Sequence, residues 1–173
     1  MTTNQQNFER WFKVPLQALY KDPDAGFIIL MITLPLLERY LRQRSGVGHR
    51  ELRGSSFYSE LLKLFPCIPD ESAAMDFWEV YRHGLLHQAS GKLVSRRAGN
   101  FEEVSIHNDD ARPMIAFGYG SKGRIFQVHS VMFSKHVIAN IEADFASFEA
   151  PLSPENPLST VAVTRGTSGV YRP

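Results

Sequence analysis

An arginine and a histidine stand five residues apart in a stretch of this chain that is predicted to be helical. They are Arg82 and His87, and a second histidine, His83, directly follows the arginine. Arginine stays charged and offers a planar fork of donors to phosphate oxygens, while histidine is the one side chain whose ordinary pKa lies near neutrality. Such a pair is suited to chemistry on a phosphodiester.

The helix that would carry this pair, which we call the motif helix, is predicted to begin at a cap formed by Asp70 or Ser72. At about 100° per residue, one sector is apolar and is expected to face the core: Ala74, Phe77, Trp78, Tyr81 and Leu85. The opposite sector mixes apolar and ionisable side chains: Met75, Glu79, Val80, His83, Leu86 and His87. This mixed face is typical of a cleft or a subunit interface.

The spacing of Arg82 and His87 also predicts a partner subunit. On an ideal α-helix the two residues point about 140° apart, so they do not meet as neighbours one turn apart would. The long arginine side chain and Gly84 within the turn reduce this divergence. A two-fold axis would let the pairs of two subunits converge on one cleft. We therefore expect a homodimer formed through the motif helix.

The segment Tyr-Arg-His-Gly-Leu-Leu-His-Gln at residues 81–88 resembles the signature of the HEPN superfamily (higher eukaryotes and prokaryotes nucleotide-binding). That signature is an arginine, a polar residue after it, and a histidine four to six residues beyond the arginine. His83 stands where the family most often has asparagine or aspartate. Members are mostly helical bundles and commonly homodimers, and many are metal-independent ribonucleases of toxin, antiviral or RNA-processing systems. Others have no nuclease activity.

The resemblance implies an endoribonuclease that needs neither a metal nor a cofactor. A ribose 2′-hydroxyl would attack the adjacent phosphate and leave a 2′,3′-cyclic phosphate, with His87 as the general acid or base and Arg82 as the phosphate binder. His83 would orient the phosphate or serve as the second proton-transfer group. The alternative is a non-catalytic module of the same kind, which binds a nucleotide, RNA or a partner protein. In purely structural roles, Arg82 would pair with Glu79 or Glu38, and His87 would favour a helix C-terminus.

The charged residues are unevenly distributed along the chain, although the formal net charge is only +1. Residues 39–53 contain five arginines and one acid, and residues 82–97 contain four basic residues and no acid. Acids are concentrated in residues 70–79, 102–110 and 142–149. The candidate RNA-binding residues on the basic side are Arg50, Arg53, Lys92 and Arg96.

The hydrophobic pattern predicts a mainly α fold, a helical bundle with a small antiparallel β element inserted before the last helix, α+β overall. Helices are expected at residues 6–21, 25–44 and 55–64, in the motif helix and at residues 132–148. The β-prone pieces lie within residues 92–131. We expect one domain at residues 1–150 and an extended surface tail, rich in Pro, Ser and Thr, at residues 151–173.

Composition indicates a protein of a reducing compartment. The lone cysteine, Cys67, excludes an intramolecular disulfide. Residues 1–9 are polar and do not look like a signal peptide, and the apolar run at residues 27–37 is shorter than the roughly 20 residues that span a bilayer. These features predict a cytoplasmic protein that does not contact a membrane.

Two further motifs are weaker. Residues 118–123 spell G-x-G-x-x-G, but a strand is predicted to follow, so a hairpin loop is expected instead of a dinucleotide site. His83 and His87 have the i,i+4 spacing of some zinc sites, which His107, His129 and His136 could complete. No H-E-x-x-H motif accompanies them, so no metal site is predicted.

Overall fold

The computed structural model describes residues 2–46, 55–84, 94–95 and 99–149. The helices are α1 (Thr3–Phe8), α2 (Val14–Leu19), α3 (Gly26–Ser45), α4 (Ser55–Leu64), α5 (Glu71–Phe77), α6 (Ser130–Ala143) and α7 (Phe145–Glu149), with π-helical segments at Glu9–Lys13 and Trp78–His83. The strands are β1 (Val94–Ser95), β2 (Gly99–His107), β3 (Ile115–Tyr119) and β4 (Arg124–His129). The mainly α, α+β fold with a small sheet before the last helices is confirmed.

The first predicted helix contains a wider turn just before its proline. Thr2 caps α1, accepting a hydrogen bond from the Gln5 amide while the Gln5 side chain bonds back to the Thr2 amide. The π-helical segment Glu9–Lys13 then leads into α2, where Pro15 occupies the first turn. Proline has no amide hydrogen to donate, so an ordinary α turn would lack a bond here. The wider π turn thus lies directly before the turn that contains this proline.

Helix α3 is the centre of the bundle. It is 20 residues long and ends at Gly46, whose φ of 67° is in the left-handed region that glycine adopts without strain. Its packing partner is α6, and buried hydroxyl groups join the two helices to α2. The Thr33 hydroxyl donates to Ser134 Oγ at 2.8 Å, and the Tyr20 hydroxyl lies 2.8 Å from the same oxygen. These hydrogen bonds give partners to polar groups that burial separates from water.

The sheet is mixed: the predicted antiparallel pairing is present in two pairs of strands, and the parallel pairing of β2 with β4 corrects the prediction. The strand order is β1-β2-β4-β3, with β1 antiparallel to β2, β2 parallel to β4, and β3 antiparallel to β4. Strand β4 lies between β2 and β3, and its Phe126 and Val128 are buried in the core. A loop therefore carries the chain from β2 past β4 to β3.

The hairpin predicted for the glycine-rich motif is confirmed. The turn between β3 and β4 is closed by a bond from the Gly120 amide to the Gly123 carbonyl at 2.8 Å. Strand β4 follows it directly, so no helix N-terminus is available for a pyrophosphate. In the described part of the chain, no helix is long and apolar enough to cross a membrane.

Candidate phosphate-binding site

Arg82 lies at the junction of the motif helix and α3. Its Nε donates to Oε2 of Glu38 at 2.7 Å, and its side chain is 19% exposed. The structural role considered for Arg82, an ion pair with Glu38, is therefore present. A carboxylate fixes the direction of the guanidinium, and part of the Arg82 side chain reaches solvent.

Glu38 is shared between two arginines. Its Oε1 accepts from Arg42 Nε at 3.0 Å and from Arg42 Nη2 at 2.8 Å. Both of these residues belong to α3 and are buried, with Arg42 side-chain exposure of only 2%. We call Glu38, Arg42 and Arg82 the arginine cluster. Two guanidinium groups therefore meet at one carboxylate.

The protonation state of Glu38 follows from this arrangement. Burial by itself would raise its pKa, but the hydrogen bonds and charges of Arg42 and Arg82 outweigh burial and hold the pKa below its ordinary value. Glu38 is thus a carboxylate at neutral pH. In that state it accepts from both guanidinium groups and orients Arg82.

The motif helix begins as predicted and then departs from α geometry. Asp70 is its cap, since the Asp70 side chain accepts from the Ala73 amide at 2.8 Å. The segment Trp78–His83 is π-helical, so its hydrogen bonds span five residues and each residue turns by less than 100°. The predicted mixed face is wrong in one respect: Val80 is 0% exposed and belongs to the core. Met75 and Glu79 are half-buried.

Tyr81 anchors the motif helix to the sheet. Its hydroxyl lies 3.0 Å from the carbonyl oxygens of Ser105 on β2 and Phe126 on β4, to which it donates. Burial, with a smaller contribution from the Glu103 charge, raises the pKa of Tyr81 well above its ordinary value. The hydroxyl is therefore a permanent donor, and it fixes the residue that precedes Arg82.

Replacing Tyr81 by phenylalanine should lower the free energy of unfolding by about 0.5–1.5 kcal/mol, the usual net value of one buried hydrogen bond. The ring stays in place, so packing is retained. Urea unfolding of both proteins measures the difference. Tyr119→Phe is the control, since Tyr119 is 73% exposed and its replacement should leave stability unchanged. Equal stability of wild type and Tyr81→Phe would contradict this role of the hydroxyl.

The other predicted site residues lie outside the described part of the chain. These are His87, Arg50, Arg53, Lys92 and Arg96. The backbone of His83 belongs to the π-helical segment, but its side chain is not described. The separation of Arg82 and His87 therefore stays a prediction. The predicted divergence of about 140° between Arg82 and His87 applies to an α-helix. Arg82 lies in the π-helical segment Trp78–His83, so that angle does not hold there.

Two other histidines meet at the carboxyl ends of the parallel strands. His107 and His129 are paired in register, with ring centroids 5.2 Å apart. His129 is buried; its Nδ1 accepts from the Met132 amide and caps α6, while its Nε2 lies 3.0 Å from Asp110 Oδ1. No group of three metal-ligating side chains occurs among the described residues. His136 is separate, with Nε2 bonded to the Leu64 carbonyl at 2.9 Å.

Stability should depend on His107 in mildly acidic solution. Burial, then the charges of His129 and Arg112, lower the pKa of His107, so the unfolded chain binds a proton at a higher pH than the folded chain. Neutral His107 therefore contributes its full stabilisation of the fold above about pH 6.5. That stabilisation is lost as the pH falls through the pKa of His107 in the folded chain. Urea unfolding between about pH 7 and pH 5 should show a smaller loss for His107→Gln than for wild type. A larger loss in the variant would contradict the lowered pKa.

Comparison with protein-family models, with curated proteins and with solved structures finds no match for this chain. Functional inference therefore rests on the residues themselves. Sequence reasoning selected Arg82 and considered Glu38 as its partner, but it missed Arg42. The available signal was the i,i+4 spacing of Glu38 and Arg42 on α3, which places a carboxylate and a guanidinium on one helix face.

Proposed function

We propose that this protein is a metal-independent endoribonuclease of the HEPN type, acting in a toxin, defence or RNA-processing system. The observation that supports it most is the setting of Arg82. A buried carboxylate holds this guanidinium in one orientation, and part of the side chain still reaches solvent. Groups fixed before the substrate arrives stabilise a transition state without the cost of reorganisation.

The charge of the arginine cluster is compatible with a phosphate ligand. Two guanidinium groups share the carboxylate of Glu38. Arg42 is the more buried of the two, so Arg82 is the one that a substrate reaches. In this proposal Arg82 donates to a non-bridging phosphate oxygen and stabilises the negative charge that develops there.

The reaction is a transesterification. The 2′-oxygen of a ribose forms a bond to phosphorus, and the bond from phosphorus to the 5′-oxygen of the next nucleotide breaks. One proton leaves the 2′-hydroxyl and another reaches the departing 5′-oxygen. His87 and His83 are proposed to handle these two transfers, with His87 as the principal acid or base.

RNA is the proposed partner, with Arg50, Arg53, Lys92 and Arg96 as candidate contacts to its backbone. The cytoplasm, where such a substrate is present, is the proposed location. A homodimer through the motif helix stays a prediction. It followed from the divergence of Arg82 and His87 on an ideal helix, and only Arg82 lies within the described residues.

The test is cleavage of a mixed RNA by the purified protein in the presence of a chelator. The expected products carry 2′,3′-cyclic phosphate and 5′-hydroxyl ends, which mass spectrometry identifies. His87→Ala protein purified in the same way controls for contaminating nucleases. Equal cleavage by both proteins, or cleavage that the chelator abolishes, would contradict the proposal.

The alternative is a non-catalytic module that binds RNA or a nucleotide. The ion pair from Arg82 to Glu38 favours it, because that pair gives Arg82 a structural purpose without any substrate. In this case a labelled RNA would bind wild-type protein and remain intact. Binding would weaken in Arg82→Ala and would not change in His87→Ala.

A further inference from the structure

A cavity of about 320 Å³ lies beside the last turns of α3 and α4 and the middle of α6. Its volume is within the range of small-molecule binding sites. The described residues that line it are Arg44, Lys63, Leu64, Pro66, His136 and Asn140. We call it the basic cavity, because the two charged residues in this lining, Arg44 and Lys63, are both cations.

One carboxylate holds the two cations side by side. Glu60, whose side chain is 11% exposed, accepts from Arg44 Nε at 2.8 Å through Oε2 and from the Lys63 ammonium through Oε1. Tyr40 and Asp144 accept from Arg44 Nη1 at 3.1 and 3.3 Å. Neither acid is among the described residues that line the cavity. The cations are therefore held in place before a ligand arrives, which lowers the entropy cost of binding.

Both cations keep N–H groups for a ligand. Within the described part of the chain, Arg44 Nη2 has no acceptor, and Glu60 accepts only one of the three hydrogens of the Lys63 ammonium. Both side chains reach solvent. A phosphate monoester carries roughly −1.5 to −2 charges at neutral pH and has three strong acceptor oxygens. It can therefore accept from both cations at once.

The polar lining residues on α6 offer acceptors. The Leu64 carbonyl lies 2.9 Å from His136 Nε2, and because a carbonyl only accepts, this nitrogen carries the hydrogen. Nδ1 of the neutral ring is then an acceptor. Asn140 Nδ2 donates to the His136 carbonyl at 2.9 Å, and Asn140 Oδ1 keeps its capacity to accept. Hydroxyl groups are suitable donors to both acceptors.

We propose that the basic cavity binds a small phosphate monoester that carries hydroxyl groups. The phosphate contacts the two cations, and the hydroxyl groups donate to His136 and Asn140. Leu64 and Pro66 give the carbon skeleton of the ligand an apolar wall. The described lining shares no residue with the arginine cluster, so the proposal does not depend on ribonuclease activity.

Titration of the full chain with glycerol 3-phosphate at constant ionic strength, followed by NMR, tests the proposal. The side-chain amide signals of Asn140 report on the basic cavity, and we expect them to shift along a saturating curve. Lys63→Gln should raise the dissociation constant by about tenfold or more, the usual effect of losing one hydrogen bond to a charged group. The backbone amide spectrum checks that the variant folds.

Lys135→Gln is the matched control. Lys135 is exposed on α6 and is not in the described lining of the cavity, so this change removes the same charge and should leave the affinity unchanged. Equal weakening in both lysine variants would overturn the proposal, because the ligand would then respond to the general charge of the protein. Amide shifts that grow linearly without saturation would overturn it too.

Two further titrations identify the ligand chemistry. Inorganic phosphate should bind more weakly than glycerol 3-phosphate, and equal affinities would contradict recognition of hydroxyl groups. A short RNA should not displace glycerol 3-phosphate, because Arg82, which is proposed to contact the RNA phosphate, does not line the cavity. Displacement would assign the cavity to the RNA backbone and overturn the proposal. His87→Ala should bind glycerol 3-phosphate as wild type does, so this proposal and the ribonuclease proposal fail separately.

Discussion

Replacing His87 by alanine is expected to lower the rate of RNA cleavage by on the order of 10²- to 10⁴-fold, the usual contribution of one general acid or base. The loss should appear in kcat, because an imidazole that moves a proton acts in the transition state more than in substrate binding. RNA affinity, measured by fluorescence anisotropy, should change little. The rate of wild type should also show an acidic limb in its pH profile that the variant lacks.

Two other variants are needed to interpret the loss of activity in His87→Ala. Arg82→Ala should weaken both RNA binding and cleavage, because Arg82 is proposed to contact the phosphate in the bound substrate and in the transition state. His107→Gln should cleave RNA at the wild-type rate, since His107 lies on β2 and packs against His129. If His87→Ala and His107→Gln lose activity equally, the effect comes from a general disturbance of the fold and the assignment of His87 is wrong.

The largest expected effect on stability is that of Glu38→Ala. Removing the carboxylate takes two charge-assisted hydrogen bonds, both to Glu38 Oε1, from Arg42, whose side chain is only 2% exposed. Breaking a buried ion pair in this way typically costs about 3–5 kcal/mol, a large share of the stability of a domain. Urea unfolding at neutral pH measures it through the midpoint and slope of the transition.

Glu142→Ala is the matched control. Glu142 pairs with Lys13 at the surface, where both side chains are substantially exposed, so its loss should cost about 0–1 kcal/mol. Because the pKa of Glu38 is lowered in the folded state, its contribution is complete above its ordinary pKa and is lost as pH falls through the lowered one. Similar costs for the two substitutions at neutral pH would show that Glu38 does not stabilise Arg42 as proposed.

Local sequence signals predicted most of the helices because each depends on neighbouring residues. The Asp70 cap, the end of α3 at Gly46 and the hairpin at residues 118–123 all come from side chains or glycines acting on their own segment. The structure selects Asp70 from the two predicted caps, ends α3 one residue beyond the predicted residue 44, and forms the hairpin where the sequence predicted it. The apolar spacing of residues 132–148 predicted one helix, whereas the structure has two, α6 and α7, which are separated at Asp144.

Departures from the predictions occur where the deciding contact is distant in the chain. Val80 was assigned to an open face at 100° per residue, but the π-helical segment changes that angle and the core covers Val80. The order of the strands is a property of the whole fold. Arg82 and Glu38 are 44 residues apart. The sequence therefore offered Glu38 and Glu79 as possible ion-pair partners of Arg82 and could not decide between them.

The hydroxyl contacts between α3 and α6 determine when this protein can become stable during synthesis. Thr33 and Ser134 are 101 residues apart, so the ribosome completes α3 long before the helix that covers it. At about 5–20 residues per second, that interval is roughly 5–20 s. During it α3, the longest of the described helices, lacks its contacts with α6. We therefore expect the bundle to close late in translation, after its C-terminal helices emerge.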